Sequence, residues 1–75
     1  MSKRTHAEAL QTKRSILDAA AKVFSANGFA KTSLSDIARD ADVTRGAIYW
    51  HFENKTELLS ALLEDEAQKL KLVST

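Results

Sequence analysis

The chain has 75 residues, which allows one small domain. It lacks cysteine, which excludes disulfides and thiolate metal sites, and no apolar run approaches the ~20 residues that span a bilayer. Its net charge is +1, but residues 1–55 carry nine basic and six acidic side chains, whereas residues 56–75 carry two and four. A positive first part is compatible with a phosphate-binding surface. We expect a soluble, cytoplasmic protein.

The N-terminal residues 1–8 are predicted to form a flexible basic arm. Lys3 and Arg4 are not followed by the apolar stretch of a signal peptide. A first helix is then predicted from about Ala7 to Ala26, with Asn27-Gly28 as its stop and Phe29 folded back onto its last turn. Its inward stripe consists of Ile16, Leu17, Ala20, Val23 and Phe24. The basic residues Lys3, Arg4, Lys13 and Arg14 form either a solvated face or a supplementary DNA contact.

Two short helices follow, with the spacing of a helix-turn-helix. Ser33 is predicted to cap the second helix, with Asp36 completing a capping box. Asp42 begins the turn and Thr44 caps the third helix, which reaches position 49 or 50. The residues predicted to face inward in this unit are Ala38, Ala41, Val43 and Ile48.

A fourth helix is predicted over residues 55–75, capped by Asn54 with Glu57 at its third position. Its predicted apolar face consists of Leu58, Leu59, Leu62, Leu63, Ala67 and Leu70. The fold class is therefore all-α, with a three-helix bundle that contains a homeodomain-like helix-turn-helix over residues 9–54. The start of a linker helix follows it.

The third helix carries an unusual run of aromatic residues at positions 49–52. They cannot all be buried in so small a domain, so Phe52 is expected to join Ile48 in the core, with Tyr49 and Trp50 at least partly exposed. Trp50 packing partly on helix 4 is the alternative. His51 either binds phosphate or caps the helix end.

The side chains around this run are of types that can contact the bases and phosphates of DNA. Arg45 can donate two hydrogen bonds to guanine, and Ala47 can touch a thymine methyl group. Gly46, which costs about 1 kcal/mol in a helix relative to Ala, fits a close approach of a bulky neighbour. Tyr49 and His51 can donate hydrogen bonds to phosphate oxygens. Three more phosphate candidates lie at or just before helix N-termini: Thr32, Ser33 and Lys55.

These residues together resemble a known family. The matching stretches are Gly28-Phe29, Thr32-Ser33-Leu34, Ile37-Ala38, Val43 to Phe52, and Asn54-Lys55. They resemble the N-terminal domain of the tetracycline-repressor (TetR) family, and residues 43–52 are especially similar to repressors of multidrug efflux pumps. Asp42 departs from the pattern, because the family usually has Gly there. Asp tolerates the left-handed conformation better than most residues, but it adds a negative charge near the DNA-facing side.

The resemblance implies a transcriptional repressor whose helix 3 enters the major groove of a palindromic operator. The DNA-contacting positions it implies are Thr32, Ser33, Thr44, Arg45, Gly46, Ala47, Tyr49, Trp50, His51 and Lys55. It also implies a homodimer formed through a C-terminal domain that binds a small-molecule inducer, so the chain is expected to be either a fragment of a longer regulator or a truncated product. No cofactor is implied.

Two other classes of function compete with this one. A protein-interaction module would use the leucine-rich fourth helix, with Tyr49 and Trp50 as anchors. Its binding would resist salt, whereas phosphate binding weakens steeply as salt rises. An enzyme is not expected, because the sequence has no nucleophile motif, no glycine-rich phosphate loop and only two histidines.

Overall fold

The computed structural model describes residues 6–73, and side chains within residues 8–68. Four helices occupy this part of the chain: α1 His6–Asn27, α2 Leu34–Ala41, α3 Arg45–His51 and α4 Lys55–Val73. The all-α prediction is confirmed. Helix α1 begins at His6, so residues 6–8, which were predicted to belong to the flexible arm, are helical. Residues 1–5 of the predicted arm lie outside the described residues.

The start of α2 is the predicted capping box. The Ser33 hydroxyl accepts a hydrogen bond from the Asp36 amide at 3.1 Å, and the Asp36 carboxylate accepts one from the Ser33 amide at 3.0 Å. The Ser33 amide, together with its hydroxyl, lowers the pKa of Asp36 below the ordinary aspartate value. Such caps stabilise a helix by about 1 kcal/mol, so the start of α2 is set by local sequence.

The turn between α2 and α3 is a Schellman motif. Asp42 adopts a left-handed conformation at φ 61° and ψ 43°. Its amide donates to the carbonyl of Arg39 at 3.2 Å, and the amide of Val43 donates to that of Ala38 at 3.0 Å. The departure from glycine at position 42 therefore leaves the turn intact.

The core lies where α1 meets the other helices. Its buried apolar residues are Ile16, Leu17, Ala19, Ala20, Ile37, Ala38, Ile48, Phe52, Leu58 and Leu62. Burying a large aliphatic side chain stabilises a fold by about 1.5–3 kcal/mol. Each of the four helices contributes to this one core, so α3 is held by packing although it is only seven residues long.

The end of α1 folds as predicted. Gly28 takes a positive φ of 87°, and the Phe29 ring returns to Phe24 with the centroids 5.4 Å apart. Gly suits this position because it has no Cβ to strain. The result is a tight turn that leads directly toward α2.

An ion pair joins α1 to α4. Arg14 donates two parallel hydrogen bonds to Asp65, each 2.9 Å long, and a third to Asp18 at 3.1 Å. The bond to Asp65 raises the pKa of Arg14 above its ordinary value. Arg14 is thus held in an intramolecular ion pair and is not a freely solvated residue.

Helix α4 buries only part of its predicted apolar face. Leu58 and Leu62 are buried and Leu59 is half-buried, but Leu63 is 60% exposed and Ala67 is exposed too. The side chain of Leu70 lies outside the described residues. Within the described residues, α1 is the main neighbour of α4, so the inward stripe is narrower than the run of leucines indicates.

Candidate nucleic-acid interface

The candidate surface is the outward face of α3. Ile48 and Phe52 anchor the helix in the core at 0% and 4% exposure. Their neighbours Tyr49 and Trp50 are 53% and 73% exposed. Because successive helical residues turn by about 100°, burying one side of α3 presents the other to solvent. The predicted exposure is confirmed, and the alternative in which Trp50 packs on helix 4 is wrong.

Two aromatic rings lie together at the end of this helix. The Trp50 and His51 rings meet edge to face, with centroids 4.8 Å apart, and His51 also lies 6.1 Å from the ring of Phe52. His51 is half-buried. The imidazole thus lies between the exposed Trp50 indole and the Phe52 ring of the core.

The first turn of α3 holds the polar side chains. The Thr44 hydroxyl caps the helix by accepting a hydrogen bond from the Ala47 amide at 3.1 Å. Arg45, the first residue of α3, is exposed, and its Nη1 donates to the Ser35 hydroxyl at 3.0 Å. This contact joins the first turn of α2 to that of α3. Ser35 does not stand out in the sequence, because no local pattern shows that the two turns meet.

Gly46 lies on the open side of the same turn. A Cβ atom there would meet only the Thr44 hydroxyl, at an ordinary contact distance of 3.8 Å. Packing within the described residues therefore does not require glycine. A shallow depression runs past this point, lined by Thr44, Gly46, Ala47, Trp50 and His51. The helix backbone is accessible here to a molecule that approaches from outside.

Thr32 is not part of this surface. It is 2% exposed, and its hydroxyl donates to the carbonyl oxygen of Gly28 at 2.7 Å. The prediction that its side chain contacts phosphate is thus corrected: Thr32 closes the turn between α1 and α2. The adjacent Ser33 remains exposed, with its hydroxyl already accepting the capping hydrogen bond. A position just before a helix does not by itself determine which way a side chain points.

Lys55 lies at the start of α4, but its ammonium group is directed at the turn after α1. Its Nζ donates to the carbonyl oxygen of Phe29 at 2.6 Å and lies 4.4 Å from the centroid of the Phe29 ring. Cation–π contacts of this kind contribute about 0.5–1 kcal/mol at exposed sites. Lys55 thereby ties the start of α4 to the segment that leads into α2 and places a positive charge there.

Other kinds of site find little support in this part of the chain. Among the described side chains, no group of three histidine, aspartate or glutamate residues could hold a metal ion. Within residues 6–73, no helix combines the length and apolar character needed to cross a membrane. The outward face of α3 therefore remains the strongest candidate for a functional site among the described residues.

The similarity of the chain to known proteins agrees with this geometry. Residues 16–62 match the family model for bacterial regulatory proteins of the tetR family. This match covers more than half of the chain, so the chain belongs to that family. Members of the family are transcriptional regulators and not enzymes, which confirms the prediction that this chain is not an enzyme.

Two relatives are named as a repressor and as a regulator of transcription. A probable acrEF/envCD operon repressor of Escherichia coli is 55% identical over 62 residues, which are 83% of this chain and 28% of that protein. The HTH-type transcriptional regulator TtgR of Pseudomonas putida is 55% identical over 64 residues, covering 85% of this chain and 30% of TtgR.

A solved structure matches the fold. It is the crystal structure of NalD, the secondary repressor of the MexAB-OprM multidrug efflux pump of Pseudomonas aeruginosa. The TM-score is 0.75 at 47% identity, over 76% of this chain and 29% of NalD. The predicted helix-turn-helix fold is thereby confirmed. The chain spans less than a third of the length of each of these three relatives.

Proposed function

We propose that this chain binds double-stranded operator DNA by inserting α3 into the major groove, as the DNA-binding domain of a transcriptional repressor. The observation that carries the proposal is the exposure of Arg45, Tyr49 and Trp50 on one short helix of a tetR-family domain. The major groove admits an α-helix and presents a distinct donor and acceptor pattern for each base pair.

Within the groove, Arg45 donates to the O6 and N7 atoms of guanine, and Ala47 contacts a thymine methyl group. Gly46 allows the backbone of α3 to approach the DNA closely, which is consistent with the open space around it. Tyr49, Trp50 and His51 are assigned to the sugar–phosphate backbone. Base contacts then set the sequence preference, and backbone contacts set the register.

Three further residues are proposed to contact phosphates. Ser33 and Thr44 cap α2 and α3, so each lies where free amide groups and the helix dipole favour an anion. Lys55 contributes through the charge that it places at the turn leading into α2. Thr32 is left out of the set because its side chain is buried.

For the longer regulator we propose a cytoplasmic homodimer on a palindromic operator, released when a small molecule binds a C-terminal domain. NalD is named as a repressor of a multidrug efflux pump, which supports control of efflux or drug-response genes by this protein as well. Two linked half-sites bind more tightly than one because the second contact is intramolecular. The 75-residue chain alone is therefore expected to bind DNA weakly.

The test begins with selection of a preferred duplex from a randomised DNA pool by the wild-type chain. Binding is then measured by fluorescence anisotropy at two salt concentrations. Arg45→Ala should weaken binding to the preferred duplex by about tenfold or more, since a bidentate contact contributes roughly 1–3 kcal/mol of discrimination. Lys13→Ala is the matched control, because it removes the same charge from the α1–α4 side of the domain.

Two outcomes would contradict the proposal. Equal losses for Arg45→Ala and Lys13→Ala would show that only net charge matters. Binding that does not weaken with salt would favour the protein-interaction alternative, in which the exposed Tyr49 and Trp50 anchor a partner protein. Circular dichroism of each variant verifies that its helices are intact.

A further inference from the structure

The contact between Ser35 and Arg45 has a consequence for sequence recognition. We propose that Ser35 is a positioning residue, which holds the Arg45 guanidinium in place before DNA arrives and thereby sharpens its base preference. This inference rests on the proposed function, because it concerns the same α3 surface. Its basis is the 3.0 Å hydrogen bond from Arg45 Nη1 to the Ser35 hydroxyl.

Ser35 and Arg45 each lie in the first turn of a helix whose start is stabilised by a capping hydrogen bond. Ser35 follows Ser33 in the first turn of α2, and Arg45 follows Thr44 at the first position of α3. Each capping hydroxyl accepts its hydrogen bond at 3.1 Å. Because the start of each helix is held, the Ser35 hydroxyl has a fixed position from which it can orient the long side chain of Arg45.

The hydrogen bond to Ser35 leaves Arg45 able to bind DNA. A guanidinium has five N–H donors, and the bond to Ser35 uses one of them. The hydroxyl is neutral, so it orients the group without cancelling its charge. The ion pairs found among the described side chains join Arg14 to Asp18 and Asp65, and Lys22 to Asp40, so Arg45 is in none of them.

Orientation matters because arginine recognises guanine through a planar fork. A side chain already held in one geometry loses less conformational freedom on binding, which favours the base that the geometry fits. Removing the Ser35 hydroxyl should therefore reduce binding to the preferred duplex by about fivefold, the size expected for one hydrogen bond. Binding to unrelated DNA should not change.

The experiment is a double-mutant cycle on two duplexes. The first is the duplex selected by the wild-type chain. In the second, A·T replaces one G·C pair, which is the pair at which Arg45→Ala most reduces the sequence preference of the protein. The quantity measured is the ratio of the two affinities. Ser35→Ala should lower this ratio, and adding it to Arg45→Ala should lower it no further. Ser35→Thr, which keeps the hydroxyl, should restore the ratio, and Ser60→Ala on the exposed side of α4 should leave it unchanged.

A second measurement needs no DNA. Nitrogen-15 relaxation of the Arg45 Nε group in the free chain should show greater order in the wild type than in Ser35→Ala. Equal order in the two would overturn the inference whether or not the chain binds DNA. So would an unchanged affinity ratio in Ser35→Ala, or an equal loss on both duplexes, which would make Ser35 a phosphate contact. An Arg45→Ala variant that keeps the wild-type ratio would instead contradict the proposed base contact itself.

Discussion

The α1–α4 seam and the outward face of α3 use similar residues in opposite ways. In the seam, Ile16 and Leu58 are fully buried, and Arg14 binds the Asp65 carboxylate through two hydrogen bonds. On α3, Trp50 is 73% exposed, and Arg45 is bonded to a neutral hydroxyl. The charge of Arg14 is satisfied within the chain, whereas that of Arg45 is available to an anionic partner.

This difference separates residues that maintain the fold from residues that are proposed to act on DNA. Composition does not distinguish them, since each region has arginine and large apolar side chains. What distinguishes them is the partner that each side chain finds in the folded chain. The contrast can be tested by substitutions that should affect one property and leave the other unchanged.

The largest difference in stability is expected between substitutions of two neighbouring residues on α3. Ile48→Ala removes a fully buried side chain, which typically costs about 2–5 kcal/mol. Because a domain of this size has only about 3–5 kcal/mol of stability, the variant should be largely unfolded. Tyr49→Ala, one residue away, should change the free energy of unfolding by less than about 0.5 kcal/mol. Urea unfolding followed by circular dichroism measures both, and similar losses for the two would refute the division of α3 into two faces.

A smaller effect is expected in the seam. A double-mutant cycle with Arg14→Ala and Asp65→Ala should give a coupling free energy of about 1 kcal/mol. This is well below the value for a buried pair, because the Arg14 side chain is 40% exposed and solvent screens the charges. DNA binding by the folded fraction should not change. A coupling near zero would mean that apolar packing alone holds α4 against α1.

The smallest effect concerns the turn between α2 and α3. Asp42→Gly should stabilise the fold by about 0.5 kcal/mol, since glycine adopts the left-handed conformation without steric cost but gains freedom when unfolded. Asp42→Asn is the control, because it removes the charge and still tolerates this conformation. Both variants should bind DNA more tightly at low salt. If only Asp42→Gly does so, the backbone and not the charge limits binding.

Local sequence predicted where α2, α3 and α4 begin because the causes are local. The caps formed by Ser33, Thr44 and Asn54 each depend on a hydrogen bond spanning three residues. The exposure of Tyr49 and Trp50 followed from helical geometry once Ile48 and Phe52 were assigned to the core. Those features needed no knowledge of how the helices pack.

The contacts that the sequence did not predict join different elements of the fold. Lys55 reaches back 26 residues to the carbonyl oxygen of Phe29, and Arg45 donates to the hydroxyl of Ser35 in the first turn of α2. The sequence by itself determined the four helices, their caps and the family of this protein. Only the tertiary structure decided which charged and polar groups meet, because hydrogen bonds such as those from Arg14 to Asp65 and from Arg45 to Ser35 depend on how the helices cross.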